Sequence, residues 1–251
     1  MRIDRETFSD YFTAYNIPIW NCSSCKKGTV VFNKKSFSIF ETNESRKETK
    51  TDYWEPEMMV KYFFGKTNCN NAKCKEVFII AGTITVEEDY DDEKGQIFTE
   101  CYYPNFIFPV LHLFTLPDDI PVDVEEYIIN AFRLFWIDKS ACANAIRTSV
   151  ETILNDKKVL KTELTKRKKR RSLSLHERIE LFEKKNKEIA NYLMAIKWIG
   201  NAGSHEGSLD TEDLLDGFDL LNHSIEKLYA SHDKEIDQMT KKINKRRRPL
   251  K

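Results

Sequence analysis

The chain has 251 residues, 41% of them apolar and 32% charged, with 40 basic and 40 acidic side chains and a formal net charge of zero. Soluble domains average roughly 45–50% apolar and ~25% charged residues, so this composition excludes a membrane-embedded protein, a collagen-like fibre and a wholly disordered chain. The neutrality hides an asymmetry, because residues 1–119 carry a balance of −5 and residues 120–251 a balance of +5.

The opening Met1-Arg2-Ile3-Asp4-Arg5-Glu6 lacks the apolar core of a secretory signal, and a cytoplasmic location is expected. Cys22-Ser-Ser-Cys25 and Cys69-Asn-Asn-Ala-Lys-Cys74 follow, two close cysteine pairs on short polar turns. Zinc favours four soft ligands in a tetrahedron, and two such knuckles supply them, so Cys22, Cys25, Cys69 and Cys74 are expected to hold a structural zinc ion. A disulfide and a C-x-x-C redox pair are the alternatives. Cys101 and Cys142 read as core thiols.

Residues 42–51 are polar and read as a flexible excursion. The β-branched runs 77–80 and 83–86 flank Ala81-Gly82 and read as strands, with further strands at 97–103 and 107–114 and an acidic loop at 87–93. The longest apolar stretches, 77–86 and 106–116, fall short of the about 20 residues that a bilayer crossing takes, so no membrane partner is expected.

Past residue 116 the apolar period becomes helical. Asp123 with Glu126 reads as a capping box, with Ile128, Ala131, Phe132 and Phe135 on one face. A second helix from about Asp138 buries Cys142, Ile146, Val150 and Ile153. A run of six cations follows, Lys166, Arg167, Lys168, Lys169, Arg170 and Arg171. It is either a solvated stretch or a contact for an anionic partner such as RNA or DNA. Ser174 and Glu177 form another capping box, opening one or two helices with Ile179, Phe182, Ile189, Leu193 and Ile196 inward. Asp210 caps the last long helix, striped by Leu214, Phe218, Leu221, Ile225 and Leu228. The tail past Lys234 reads as helix or disorder. His112, within a strand-like run, reads as a paired core or edge histidine. The expected organisation is α+β: a β-rich zinc-knuckle domain over 1–116, a helical bundle over 117–232 and a basic tail over 233–251.

Two polar groups interrupt the helical stripes. Arg147 and Glu151 lie four apart and share a helix face, either as a surface ion pair or as part of a site. Lys197, Asn201 and His205 share a face if the helix runs through Gly200 and Gly203. Each glycine costs about 1 kcal/mol in a helix interior, which close approach of a neighbouring helix or ligand would offset; alternatively the glycines end the helix. No phosphate loop, dinucleotide fingerprint, nucleophile elbow or H-E-x-x-H pair is present.

The two-knuckle front end, the A-x-x-A-x-R-x-x-x-E pattern of residues 141–151 and Ile199-Gly200-Asn201-x-x-x-His205 together resemble the domain-of-unknown-function family DUF4145, often placed in the HEPN (higher eukaryote and prokaryote nucleotide-binding) superfamily. The resemblance covers residues 117–230. It implies a HEPN-like helical bundle behind a zinc-ribbon-like front end, a homodimer through the helical domain, and a prokaryotic restriction or phage-defence setting with a protein partner. Many HEPN proteins are metal-independent ribonucleases that use an arginine, a polar residue and a histidine. Here His205 matches the histidine, Asn201 the polar residue, and Lys197 stands nearest the arginine, which is missing at the family spacing. The expectation is therefore a nucleic-acid-binding or regulatory module in which Arg147, Glu151 and the cations of 166–171 bind. An endoribonuclease acting as a dimer and a structural subunit of a defence complex are the alternatives.

Overall fold

A computed structural model describes residues 2–205 and 209–249; the side chains of Lys34, Ser204, His205 and 231–238 fall outside the described set. Contacts divide the chain into two compact units. One comprises residues 4–113 with 132–139, and the other residues 114–131 with 140 onward and the first few residues.

The first unit is an antiparallel five-stranded sheet of β1 (Phe12–Thr13), β2 (Val30–Glu41), β3 (Lys61–Cys69), β4 (Val77–Asp91) and β5 (Gly95–Phe108), in the order β1-β5-β4-β3-β2. Side chains alternate between faces along a strand. In β3 the odd positions Phe63, Gly65, Thr67 and Cys69 are buried, and the even positions Tyr62, Phe64, Lys66 and Asn68 are exposed. The inner face holds an aromatic core in which Phe12 stacks on Tyr102, and Phe63 and Phe32 meet Phe12 edge-on. Trp20 donates its indole N–H to the Thr7 carbonyl and meets Trp136 edge-on, so the buried ring keeps its polar atom paired.

The strands run further than the sequence pattern predicts. Residues 77–86 form one strand because Ala81-Gly82 sits at a register shift, where a Cβ on Gly82 would lie 2.0 Å from the Tyr103 carbonyl oxygen. The acidic run is strand as far as Asp91, since a two-stranded extension can solvate both faces. Gln96 bridges to Glu88 across it, and Asp91 accepts from the Glu93 and Lys94 amides at the tip. Residues 109–114 lie outside β5, which places His112 in irregular chain. The stretch expected to be a flexible excursion contains the short helix α1 (Asn43–Glu48), whose first turn is capped by the Thr42 hydroxyl.

The helical unit contains α2 (Val122–Leu134), α3 (Lys139–Asp156), α4 (Leu175–Glu183), α5 (Lys187–His205), α6 (Thr211–Tyr229) and α7 (Ser231–Arg246), with a small hairpin of β6 (Thr162–Leu164) and β7 (Arg170–Ser172) between α3 and α4. The last turn of α2 belongs to the first unit. Each apolar stripe read from the sequence is buried, apart from Leu228, which is half-buried. The capping boxes at Ser174–Glu177 and Asp210–Asp213 have both reciprocal bonds. The expected box at Asp123 does not form, because α2 begins at Val122, behind Pro121 and two residues earlier than such a cap requires, and leaves Asp123 inside the first turn. Among the described residues no helix is long and apolar enough to cross a membrane.

Candidate functional site

The two cysteine knuckles meet where β2, β3 and β4 begin or end. The first turns through residues 22–28, with the Cys22 amide donating to Gly28 and the Lys26 amide returning to Cys22. The second joins β3 to β4, with the Cys69 amide donating to Glu76 and the Cys74 and Lys75 amides to Asn71. Lys26 and Lys75, each just past a cysteine pair, adopt left-handed backbone at φ 55° and 53°. Asn70 staples the knuckles by accepting from the Thr29 amide and donating to its hydroxyl.

This brings all four thiols within 4.8 Å of one another. The Cys22–Cys74 and Cys25–Cys69 sulfur separations are 3.9 and 3.7 Å. A tetrahedron with metal–sulfur bonds of about 2.3 Å has sulfur–sulfur edges of about 3.8 Å, so the spacing fits one zinc-sized ion. It is far too long for a disulfide bond of about 2.05 Å, and all six cysteines are free. The amides of Lys27 and Gly28 hold the Cys25 thiol well below its usual range, at about 6. Burial pushes Cys69 up to about 12. For Cys74 the Glu76 amide pulls downward, and burial with the thiols of Cys25 and Cys22 outweighs it. Gly28 is required here: a Cβ at this position would stand 2.5 Å from the Cys69 sulfur.

The basic run is an ordered hairpin. Thr165 closes the turn between β6 and β7, and Lys168 takes the left-handed position at φ 55°. Lys166, Arg167, Lys168, Lys169 and Arg170 are exposed. Arg171 is held by a two-pronged bond to Glu177 at 2.7 and 3.2 Å and by Glu163 at 2.5 Å. Among the described residues it is the one member of the run with an ion pair. Glu177 thus serves both the cap of α4 and the base of the hairpin, and its carboxylate is held down at about 2, first by Arg171 and then by Ser174.

α5 runs unbroken through Gly200 and Gly203, because α3 passes against it. A Cβ on Gly200 would lie 2.6 Å from the Arg147 Cβ and 3.1 Å from the Ala143 carbonyl oxygen, and one on Gly203 would lie 2.8 Å from the Ala143 Cβ. The backbone thus sits where side chains would otherwise be, which explains the two unfavourable helix residues. Arg147 pairs with Glu151 at 3.5 Å, and its Nε is buried without a partner. Asn201 is half-buried, one residue beyond the crossing. Lys197 is buried, with its ammonium 3.4 Å from the centre of the Trp198 ring, a cation–π contact. The imidazole of His205 lies outside the described residues.

Arg178 was not singled out by the sequence pattern, although it interrupts the Leu175, Ile179 and Phe182 stripe of α4. It is buried, donates to Asn155 at 2.8 Å and to the Val159 carbonyl at 3.4 Å, and leaves its Nε unpaired. Burial lowers its pKa, and the Glu151 carboxylate opposes that. His112 is half-buried 5.4 Å from the Phe132 ring, and burial lowers its pKa. Cys142 donates to the Ala131 carbonyl, and Cys101 is buried.

No curated protein and no solved structure matches the chain. Two family models do. Residues 10–109 match a domain of unknown function (DUF8608), and residues 130–246 match a domain of unknown function (DUF4145), the family that the helical residues resemble.

Proposed function

We propose that the protein is a zinc-stabilised, HEPN-like nucleic-acid-binding module that serves a regulatory role in a prokaryotic restriction or phage-defence system. The setting rests on the resemblance of residues 117–230 to HEPN-type domains. Cys22, Cys25, Cys69 and Cys74 hold zinc in a closed, all-sulfur site that leaves no position for a substrate, so the ion holds the fold and does no chemistry. The nucleic acid is met by the hairpin tip. The observation that carries this reading is the state of its cations: among the described residues five of the six are exposed on the hairpin without an ion pair, while Arg171 fixes the base. Phosphate contacts by such cations release counterions, so affinity falls steeply with salt.

The test measures binding of duplex DNA and of RNA over a salt series, for the wild type and for a variant with residues 166–170 changed to glutamine. Neutralisation should weaken binding to all sequences alike and flatten the salt slope. Absent or salt-insensitive binding would remove nucleic acid as the partner. Elemental analysis should find about one zinc per chain.

A second reading, a metal-independent endoribonuclease, draws on the contact of Arg147 with Gly200, next to Asn201. An arginine from α3 would then substitute for the one missing on α5, with His205 as the proton-transfer group. RNA cleavage in EDTA that His205→Ala abolishes is the expected signature; cleavage that survives the substitution discards this reading.

A further inference from the structure

We propose that two copies of this chain meet sheet on sheet, through the outer face of the five-stranded sheet. Opposite residues in an antiparallel pair share a face, so the registers place Ser38, Phe64, Ala81 and Phe106 in one row across β2, β3, β4 and β5. The next row on one side is Phe40, Tyr62, Thr83 and Tyr103, and on the other Lys66, Ile79 and Phe108. Phe40 and Phe64 stack at 6.0 Å, 10° from parallel.

Five of these rings, Phe40, Tyr62, Phe64, Phe106 and Phe108, are 49–60% exposed. Five half-exposed rings of about 150–250 Å² each amount to roughly 500 Å². That is as large as the largest apolar patch of a typical monomer (about 300–600 Å²), before Val31, Val77 and Ile79 are added. A stable interface takes about 800 Å² per partner, so the rings alone supply more than half of what one needs.

Relief and charge both favour an identical occupant. The row Ser38-Phe64-Ala81-Phe106 alternates small and large, so ring ridges on β3 and β5 flank a furrow floored by Ala81 on β4. A two-fold axis through the furrow sets the ridges of each copy beside the other's low rows, at the roughly 10 Å spacing of packed sheets. Lys66 is the one charged side chain among the described residues at these registers, so two copies face each other with little repulsion. Nucleobase stacking would need a cationic track beside the rings. The lone lysine, on a half-chain with a balance of −5, does not supply it.

The test is sedimentation equilibrium of the zinc-loaded full chain over about 1 to 100 µM, with wild type and Phe64→Glu/Phe106→Glu. The wild type should form a reversible dimer, and the double substitution should raise its dissociation constant about a hundredfold or more, with an unchanged circular dichroism spectrum. Should the variant misfold, hydroxyl-radical footprinting of the wild type decides, since Phe64 and Phe106 must become protected as concentration rises. A monomer throughout, a dimer indifferent to both substitutions, or rings protected by single-stranded RNA while the protein stays monomeric would each overturn the proposal.

Discussion

The two units solve the problem of stability differently. Every helix from α3 to α6 buries an apolar stripe, and two of them carry complete capping boxes, so that unit closes its own core with local and tertiary signals in agreement. The sheet buries one face around Phe12, Phe32, Phe63 and Tyr102 and leaves rings on the other in water. Its strand ends are gathered by a cluster of four thiols, two of them buried, that without an ion would crowd one another to no benefit. One region closes its core with its own side chains; the other, by our proposals, depends on a bound ion and on a second copy.

The sharpest way to break that contrast is to remove the metal that we propose the four cysteines hold. Chelation, or Cys22→Ser, should abolish amide-exchange protection through β3 to β5 while the helical unit keeps its cooperative transition; structural zinc in small domains is worth about 10 kcal/mol or more. Acid should do the same, because each ligand must be a thiolate. Equal loss of protection in both units would show that they fold as one.

A smaller effect is expected in the opposite unit. Gly200→Val places methyl groups against Arg147 and the Ala143 carbonyl, and should cost about 1–3 kcal/mol in denaturant melts of the helical unit while leaving the metal bound. An unchanged midpoint would mean that α3 and α5 are not in close contact there.

The smallest effect is a matter of pH. The Glu177 carboxylate is held at about 2 against an ordinary 4.5. A depressed carboxylate stabilises the fold above its unfolded value, and the contribution is lost as pH falls from about 4.5 towards 2. NMR titration should show the hairpin and the first turn of α4 loosening together in that window; Glu177→Gln should remove the titration. Independent behaviour of hairpin and helix would dissolve the link through Arg171.

Much of the helical unit was legible because its signals are local: Ser174 and Asp210 cap where their spacing says, and the stripes repeat at three or four. The cysteine spacing likewise foretold a four-thiol cluster. What escaped depends on partners distant in sequence. Ala81-Gly82 looks like a break, yet the strand continues because Gly82 lets the Tyr103 carbonyl approach. The cationic run carries no strand signature, and its hairpin exists because Glu163 and Glu177 hold Arg171. Asp123 looks like a cap, but Pro121 allows the helix to start earlier. The nearness of Arg147 to Gly200 comes from the crossing of α3 and α5, a relation that Gly200 and Gly203 hinted at without naming the neighbour.

One consequence of the knuckles reaches beyond ligation. Cys69 is the last residue of β3 and stands opposite Val30, with its sulfur on the inner face. Sliding β3 by a single position would turn that sulfur outward, together with Phe63 and Thr67, and leave three thiols facing an empty corner. The ion we propose, which demands four sulfurs, would therefore proofread the alignment of the sheet, rewarding the correct pairing of strands and rejecting the nearest wrong one.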